Sequence, residues 1–238
     1  MIAAIAFLTR LPVPSPRTPE LDRAAAWFPV VGLLVGGIAA GTRALGDLAL
    51  PPAAATLLAV AAAIVVTGAL HEDGLADVAD GLGAHVSRER RLEILRDPRV
   101  GTFGALALIL STGLAIATVA SLDTEHAARA LLVSHALSRW AILPVSRALR
   151  PARPGGAGAL LRVTTPALLS ATVLAGAAAI AIAGPADGAA ALLAAALAAS
   201  LSALILHRGL GGITGDGYGA TAKLAEIAAG TTLVALWT

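Results

Sequence analysis

The stretch HEDGLADVADGLGA (His71–Ala84) sets Glu72, Asp73, Asp77 and Asp80 close together, with no Lys or Arg until Arg88. Asp73, Asp77 and Asp80 stand at i, i+4 and i+7, positions that share one face of a helix. Three like charges on one face repel, so the arrangement is poor as a stability device. A divalent cation resolves the conflict. Aspartate oxygens are the hard ligands that Mg²⁺ prefers, and one or two carboxylates completed by substrate phosphates is its usual arrangement. Gly74 and Gly81 each follow an aspartate and are expected to leave a bulky ligand room at the backbone. His71 either assists proton transfer beside a carboxylate or is a polar tip at a membrane interface. The bland alternative is a solvated acidic loop whose charges cap helix starts.

Two further segments carry chemistry. In RLEILRDPRVGTFGAL (Arg91–Leu106), Glu93, Arg96, Asp97 and Arg99 crowd a helix end broken by Pro98. Arginine forks suit phosphate, and the glycine-flanked start of the next helix offers free N–H groups to an anion. Glu72, Arg96, Asp97 and Arg99, together with Asp216 and Arg139, are candidates for a substrate- or phosphate-binding region. Arg88, Arg90 and Arg91 are expected at lipid headgroups. In GGITGDGYGATAKLAE (Gly211–Glu226), Asp216 lies among glycines, and Lys223 and Glu226 follow just inside an apolar run. An ionisable pair there is costly unless it faces a polar cavity. His135 and Arg139, also at i and i+4, either line that cavity or form a buried structural pair.

These segments need elements to position them, and composition says which. Of 238 residues 57% are hydrophobic and 13% charged, and mean hydropathy is +0.82. A soluble domain of this size carries roughly a quarter charged residues. The apolar residues come in long blocks built from Ala, Leu, Val, Ile and Gly, the small ones allowing close helix approach. The expected fold is an all-α, polytopic transmembrane helical bundle forming a single domain over residues 1–238. Runs near the length that crosses a bilayer fall at about Phe28–Leu45, Ala53–Leu70, Thr102–Leu122, Arg129–Leu149, Pro166–Gly184, Ala186–His207 and Gly219–Trp237, seven spans in all. The absence of cysteine excludes disulfides and thiolate chemistry. No basic stripe suggests nucleic acid, and MIAAIAFLTR lacks the basic start of a signal peptide.

Arginine and lysine set an expected orientation. With the N-terminus cytoplasmic, Arg10, Arg17, Arg23, the five arginines from Arg88 to Arg99, and Arg147, Arg150, Arg153, Arg162 and Arg208 lie inside, against Arg43 and Arg129 outside. That is the asymmetry of the positive-inside rule. All three loaded segments then meet the cytoplasmic face, whereas a pore or carrier would hold its ionisable groups near mid-membrane.

FLTRLPVP (Phe7–Pro14), WFPVVGLLVG (Trp27–Gly36), HEDGLADVADGLGA, RLEILRDPRVGTFG (Arg91–Gly104) and GDGYGAT together, in order and across nearly the whole chain, resemble the cobalamin synthase (adenosylcobinamide-GDP ribazoletransferase) family. Lys223 departs from that pattern, where an acidic or amide residue is expected. The resemblance implies an inner-membrane enzyme that attaches α-ribazole or its 5′-phosphate to adenosylcobinamide-GDP, releases GMP and requires Mg²⁺. It implies Asp73, Asp77 and Asp80 on the metal, Arg96 and Arg99 on phosphate, and Asp216 completing the metal shell or holding ribazole. A proton acceptor is also needed, with Asp80 first and His71 second. Contact with membrane lipid is expected, and a homo-oligomer is compatible. DVADG (Asp77–Gly81) also echoes the membrane CDP-alcohol phosphotransferases, although Leu82-Gly83 follows where Ala-Arg is usual. An ion-coupled transporter is the alternative from another class.

Overall fold

The computed structural model describes residues 1–14, 21–153, 155, 157–159 and 161–238, so Arg17 lies outside the described residues. The elements run α1 (Ile2–Leu8), α2 (Leu21–Ala24), a 3₁₀ turn (Ala25–Trp27), α3 (Phe28–Gly46), α4 (Pro52–Thr67), α5 (Leu70–Gly83), α6 (Arg88–Ile94), α7 (Thr102–Val119), α8 (Thr124–Ala148), a second 3₁₀ turn (Ala157–Ala159), α9 (Thr165–Ala183), α10 (Pro185–Leu210) and α11 (Gly215–Trp237). Among the described residues there is no strand beyond one isolated bridge, Pro151 to Ile213.

Local chemistry sets the boundaries. Ser87, Asp123, Thr164 and Thr214 accept a hydrogen bond from a backbone N–H two or three residues into α6, α8, α9 and α11, covering donors that a helix start leaves unpaired. Proline opens α3, α4, α9 and α10, where its missing N–H and fixed φ cost nothing.

The packing is inverted relative to a soluble bundle. Ala167, Ala171, Ala175 and Ala179 of α9 are buried, as are Ala191, Ala195 and Ala199 of α10, while Leu169, Val173, Leu193, Leu197 and Leu201 face outward, more than half exposed. In water each such side chain would forgo about 1.5–3 kcal/mol of burial, so the outer surface calls for lipid. Small residues inside let backbones approach: a Cβ at Gly36 of α3 would stand 2.6 Å from the Leu131 carbonyl oxygen of α8.

Four helices are long and apolar enough to cross a membrane: the stretch Leu21–Gly46, α7, α9 and α10. The bent pair α4–α5 brings the number to five if counted as one span. The other two expected spans are α8 and α11, helices of 25 and 23 residues that carry His135, Arg139, Lys223 and Glu226.

The second expected span ends early. Gly68 (φ 63°) and Ala69 (φ 58°) are both left-handed, and the acidic segment becomes a helix of its own, turned 89° from α4. Helix α5 therefore lies across the end of the bundle rather than through it. The N-terminal motif braces this corner: the Arg10 amide donates to the Val66 carbonyl at 2.7 Å, and the Arg10 stem covers Gly68.

Candidate functional site at one end of the bundle

Helix α5 presents Asp73, Asp77 and Asp80 outward while burying His71, Gly74, Leu75, Val78 and Gly81. Its inner face crosses α11 closely. A Cβ on Gly74 would stand 2.5 Å from the Asp216 carbonyl oxygen and 3.0 Å from the Gly219 Cα, and one on Gly219 would stand 2.9 Å from the Leu70 carbonyl oxygen. A Cβ on Gly81 would collide with Leu95. The two glycines expected to open space for a ligand instead admit neighbouring helices. Their effect on the site is indirect: the crossing brings Asp216, in the first turn of α11, beside Asp73 and Asp77.

The result is a carboxylate cluster short of cations. The Asp77 carboxyl is pushed up to about 7, by partial burial first and then by the charges of Asp73, Asp216 and Asp80. Arg153 is the cation whose charge reaches Asp216. Such hard oxygen donors without compensation fit a divalent cation. Among the described residues no three such side chains are gathered around one point, so a cation here would need substrate phosphates to complete its shell.

Asp80 has a different setting. Its Oδ2 accepts from the Gly101 amide at 2.7 Å and its Oδ1 from the Gly104 amide at 2.8 Å, so it binds the N-terminal turn of α7 and occupies the donors the sequence offers to a phosphate. A Cβ on Gly101 would stand 2.5 Å from Asp80 Oδ1, which is why glycine recurs there. Beyond lies an open cleft of about 400 Å³ lined by Asp80, Ile94, Asp97, Arg99, Val100 and Gly101. Arg99 holds Asp97 with Nε (2.9 Å) and Nη2 (2.6 Å). That pair, with the Arg99 amide, pulls the Asp97 carboxyl down to about 2. Arg96 is exposed nearby.

Three candidates face elsewhere. Glu72, one residue before Asp73, turns inward to Lys223 of α11 at 3.0 Å. Arg139 is 2% exposed and bonds Glu226 and Ser138, each at 3.1 Å. Neither presents to a phosphate at the cleft. His71 is likewise 2% exposed, with neither ring nitrogen hydrogen-bonded among the described residues. The charged groups it senses are Arg139, Glu226 and Lys223, not the aspartates.

Other arginines take roles that the sequence did not display. Arg88 donates to the carbonyls of Leu210 (2.7 Å) and Ala152 (3.0 Å), and Arg91 to that of Gly209 (3.2 Å). Both cap the C-terminal end of α10 rather than reaching only lipid headgroups. Arg153 donates to the Leu92 carbonyl at 3.2 Å. Their one legible signal is spacing: Arg88 and Arg91 sit at i, i+3 just after the Ser87 cap.

Fold and site define an all-helical protein of membrane-crossing character, with carboxylates and arginines gathered at one end of its bundle. The family model described as cobalamin-5-phosphate synthase matches residues 1–234, and the chain belongs to that family. Proteins named adenosylcobinamide-GDP ribazoletransferase are similar along nearly their whole length. That of Rhizobium etli (strain ATCC 51251) is 41% identical over 99% of this chain and 95% of its own. That of Azorhizobium caulinodans is 39% identical over 95% and 91%, and that of Geotalea daltonii 37% over 98% and 96%. No solved structure matches.

Proposed function

We propose that the protein is a membrane transferase that joins α-ribazole, or its 5′-phosphate, to adenosylcobinamide-GDP and releases GMP, using a divalent cation at the carboxylate end of the bundle. Family membership supports the reaction. The observation that carries the site is the cluster of Asp73, Asp77 and Asp216, with Arg153 as the cation whose charge reaches it, beside an arginine-bearing cleft.

In this reaction the ribazole hydroxyl oxygen forms a bond to the phosphorus attached to cobinamide, and the bond from that phosphorus to the bridging oxygen of GMP breaks. Little covalent chemistry falls to the protein, so catalysis is positioning and charge stabilisation. A divalent cation held there would supply positive charge against that developing on the phosphate oxygens. Asp73 and Asp77 would hold it, with Asp216 adding negative charge from across the crossing. Arg99 and Arg96 line or neighbour the cleft where phosphate oxygens would lie, and guanidinium forks match them. Asp80 receives the hydroxyl proton in this scheme, on a lone pair that its two amide bonds leave free. Those amide bonds also fix its geometry.

The seven-span, N-in arrangement belongs to the same proposal, with α8 and α11 crossing as mutually paired polar helices and the site at the cytoplasmic side of an inner membrane. A transporter is disfavoured by the interior charges. Glu72 and Glu226 balance Lys223 and Arg139, which leaves no net charge there for a carried cation.

The test is a purified-protein assay of adenosylcobinamide-GDP with α-ribazole, with and without Mg²⁺, on wild type and Asp77→Asn. Metal-dependent GMP release with a joined corrinoid product, lost in the variant, is expected. Turnover that survives in Asp77→Asn moves the metal elsewhere, and no turnover in folded wild type overturns the reaction.

A further inference from the structure

Lys223 has no role in the chemistry above, yet it is buried and paired with two carboxylates from two different helices. It is 3% exposed and donates to Glu72 of α5 at 3.0 Å and to Glu226 of its own helix at 2.7 Å. Glu226 in turn accepts from Arg139 of α8 at 3.1 Å. One ammonium thus ties the acidic helix to α11 and, through Glu226, to α8. As adhesive this is a weak choice, because desolvating three or four ions costs several kcal/mol each and apolar side chains of the same volume hold helices as well. What an ionic bridge adds is direction: it fixes the rotation and register of one helix on another.

The rotation it fixes bears on the site. Glu72 immediately precedes Asp73, and Asp216 lies about two turns before Lys223 on α11. Between the bridge and the carboxylates the backbones meet at Gly74 and Gly219, so α5 can pivot about that contact but has no room to slide inward. Only one carboxylate oxygen of Glu72 is held. Its Oε2 has no partner among the described residues, and Glu72 borders an interior cavity of about 40 Å³ with room for a water or two. The ammonium is the ion-pair partner that holds the Glu72 side chain, among the described residues.

We infer that Lys223 is a positioning residue for the divalent-cation site: through Glu72 it sets the rotation of α5, and with it the placement of Asp73 and Asp77 relative to Asp216. The inference rests on the divalent-cation reading proposed above.

The experiment uses full-length protein in detergent, Mn²⁺ alone as the probe, and electron paramagnetic resonance to count bound ion, with thermal melting in parallel. The variants are Lys223→Met, Glu72→Gln and the two combined. Lys223→Met is expected to weaken Mn²⁺ binding roughly tenfold or more, as removal of an outer-shell partner does. Glu72→Gln, which leaves the Lys223–Glu226 pair intact, shifts affinity the same way and carries the test if Lys223→Met does not fold. The double variant buries no unmatched charge at this bridge, so it should regain thermal stability without regaining Mn²⁺ affinity. Affinity equal to wild type in the single variants overturns the inference, and so does affinity that returns together with stability in the double variant, since the effect is then structural. Wild type that binds no Mn²⁺ removes the cation site itself, a different result from intact binding that ignores Lys223.

Discussion

Asp77 and Asp80 stand three residues apart on one helix and meet opposite surroundings. Asp80 is satisfied by two backbone amides; Asp77 faces only carboxylates, and its own is held at about 7 instead of 3.8. A carboxyl raised on folding contributes stability below its unfolded value, and that contribution is lost as pH rises through the folded value. Without divalent metal, the melting temperature should therefore fall between about pH 4 and pH 7, from the unfolded value to the folded one. Asp77→Asn should flatten that slope, and Mg²⁺ should restore stability at the alkaline end, all read from melts with chelator or metal. A slope unchanged by the substitution would show that Asp77 is compensated. For Asp80, Asn keeps one of the two oxygen acceptors for α7 and turns an NH₂ donor toward the other amide, so stability should fall by about 1–3 kcal/mol while single-turnover rates drop roughly 10²-fold or more. Asp80→Ala should lower both.

Among elements, the decisive contact is the crossing of α5 on α11. Gly74→Ala sets a Cβ against backbone rather than against a flexible side chain, so the helices must part. The expected cost is about 1–3 kcal/mol, seen as a lower melting temperature, with activity lost beyond what stability explains because Asp216 moves away from Asp73. Wild-type turnover in Gly74→Ala would show that the crossing is not required. This contact also marks where the sequence stops being readable. The shared face of Asp73, Asp77 and Asp80 follows from helical period alone, and the apolar runs located every long helix to within a few residues. Gly74, by contrast, looks the same in a sequence whether it opens space for a ligand or closes it for a helix. Ala69 gives no hint of its left-handed backbone, so the 89° turn between α4 and α5 was not legible. Nor was the diversion of Glu72 into the interior, because Lys223, which draws it there, lies 151 residues away along the chain.

At the scale of the whole molecule, one end collects the acidic helix, the arginine-bearing turn and the start of α11, while Arg43 pairs with Asp47 in the short α3–α4 connection at the far end. In the proposed orientation the collecting end is cytoplasmic, the side on which the positive-inside rule puts an excess of arginine. The native chain contains no cysteine, so single cysteines introduced one at a time give an unambiguous readout. Val86, exposed between α5 and α6, and Leu48, exposed between α3 and α4, mark opposite ends. In intact cells an impermeant maleimide should label Leu48→Cys and leave Val86→Cys untouched until the membrane is opened. The reverse pattern would turn the protein over and separate the site from a cytoplasmic pool of nucleotide-activated substrate. Labelling of both positions on one side would remove the crossing of α4, the long helix that separates them.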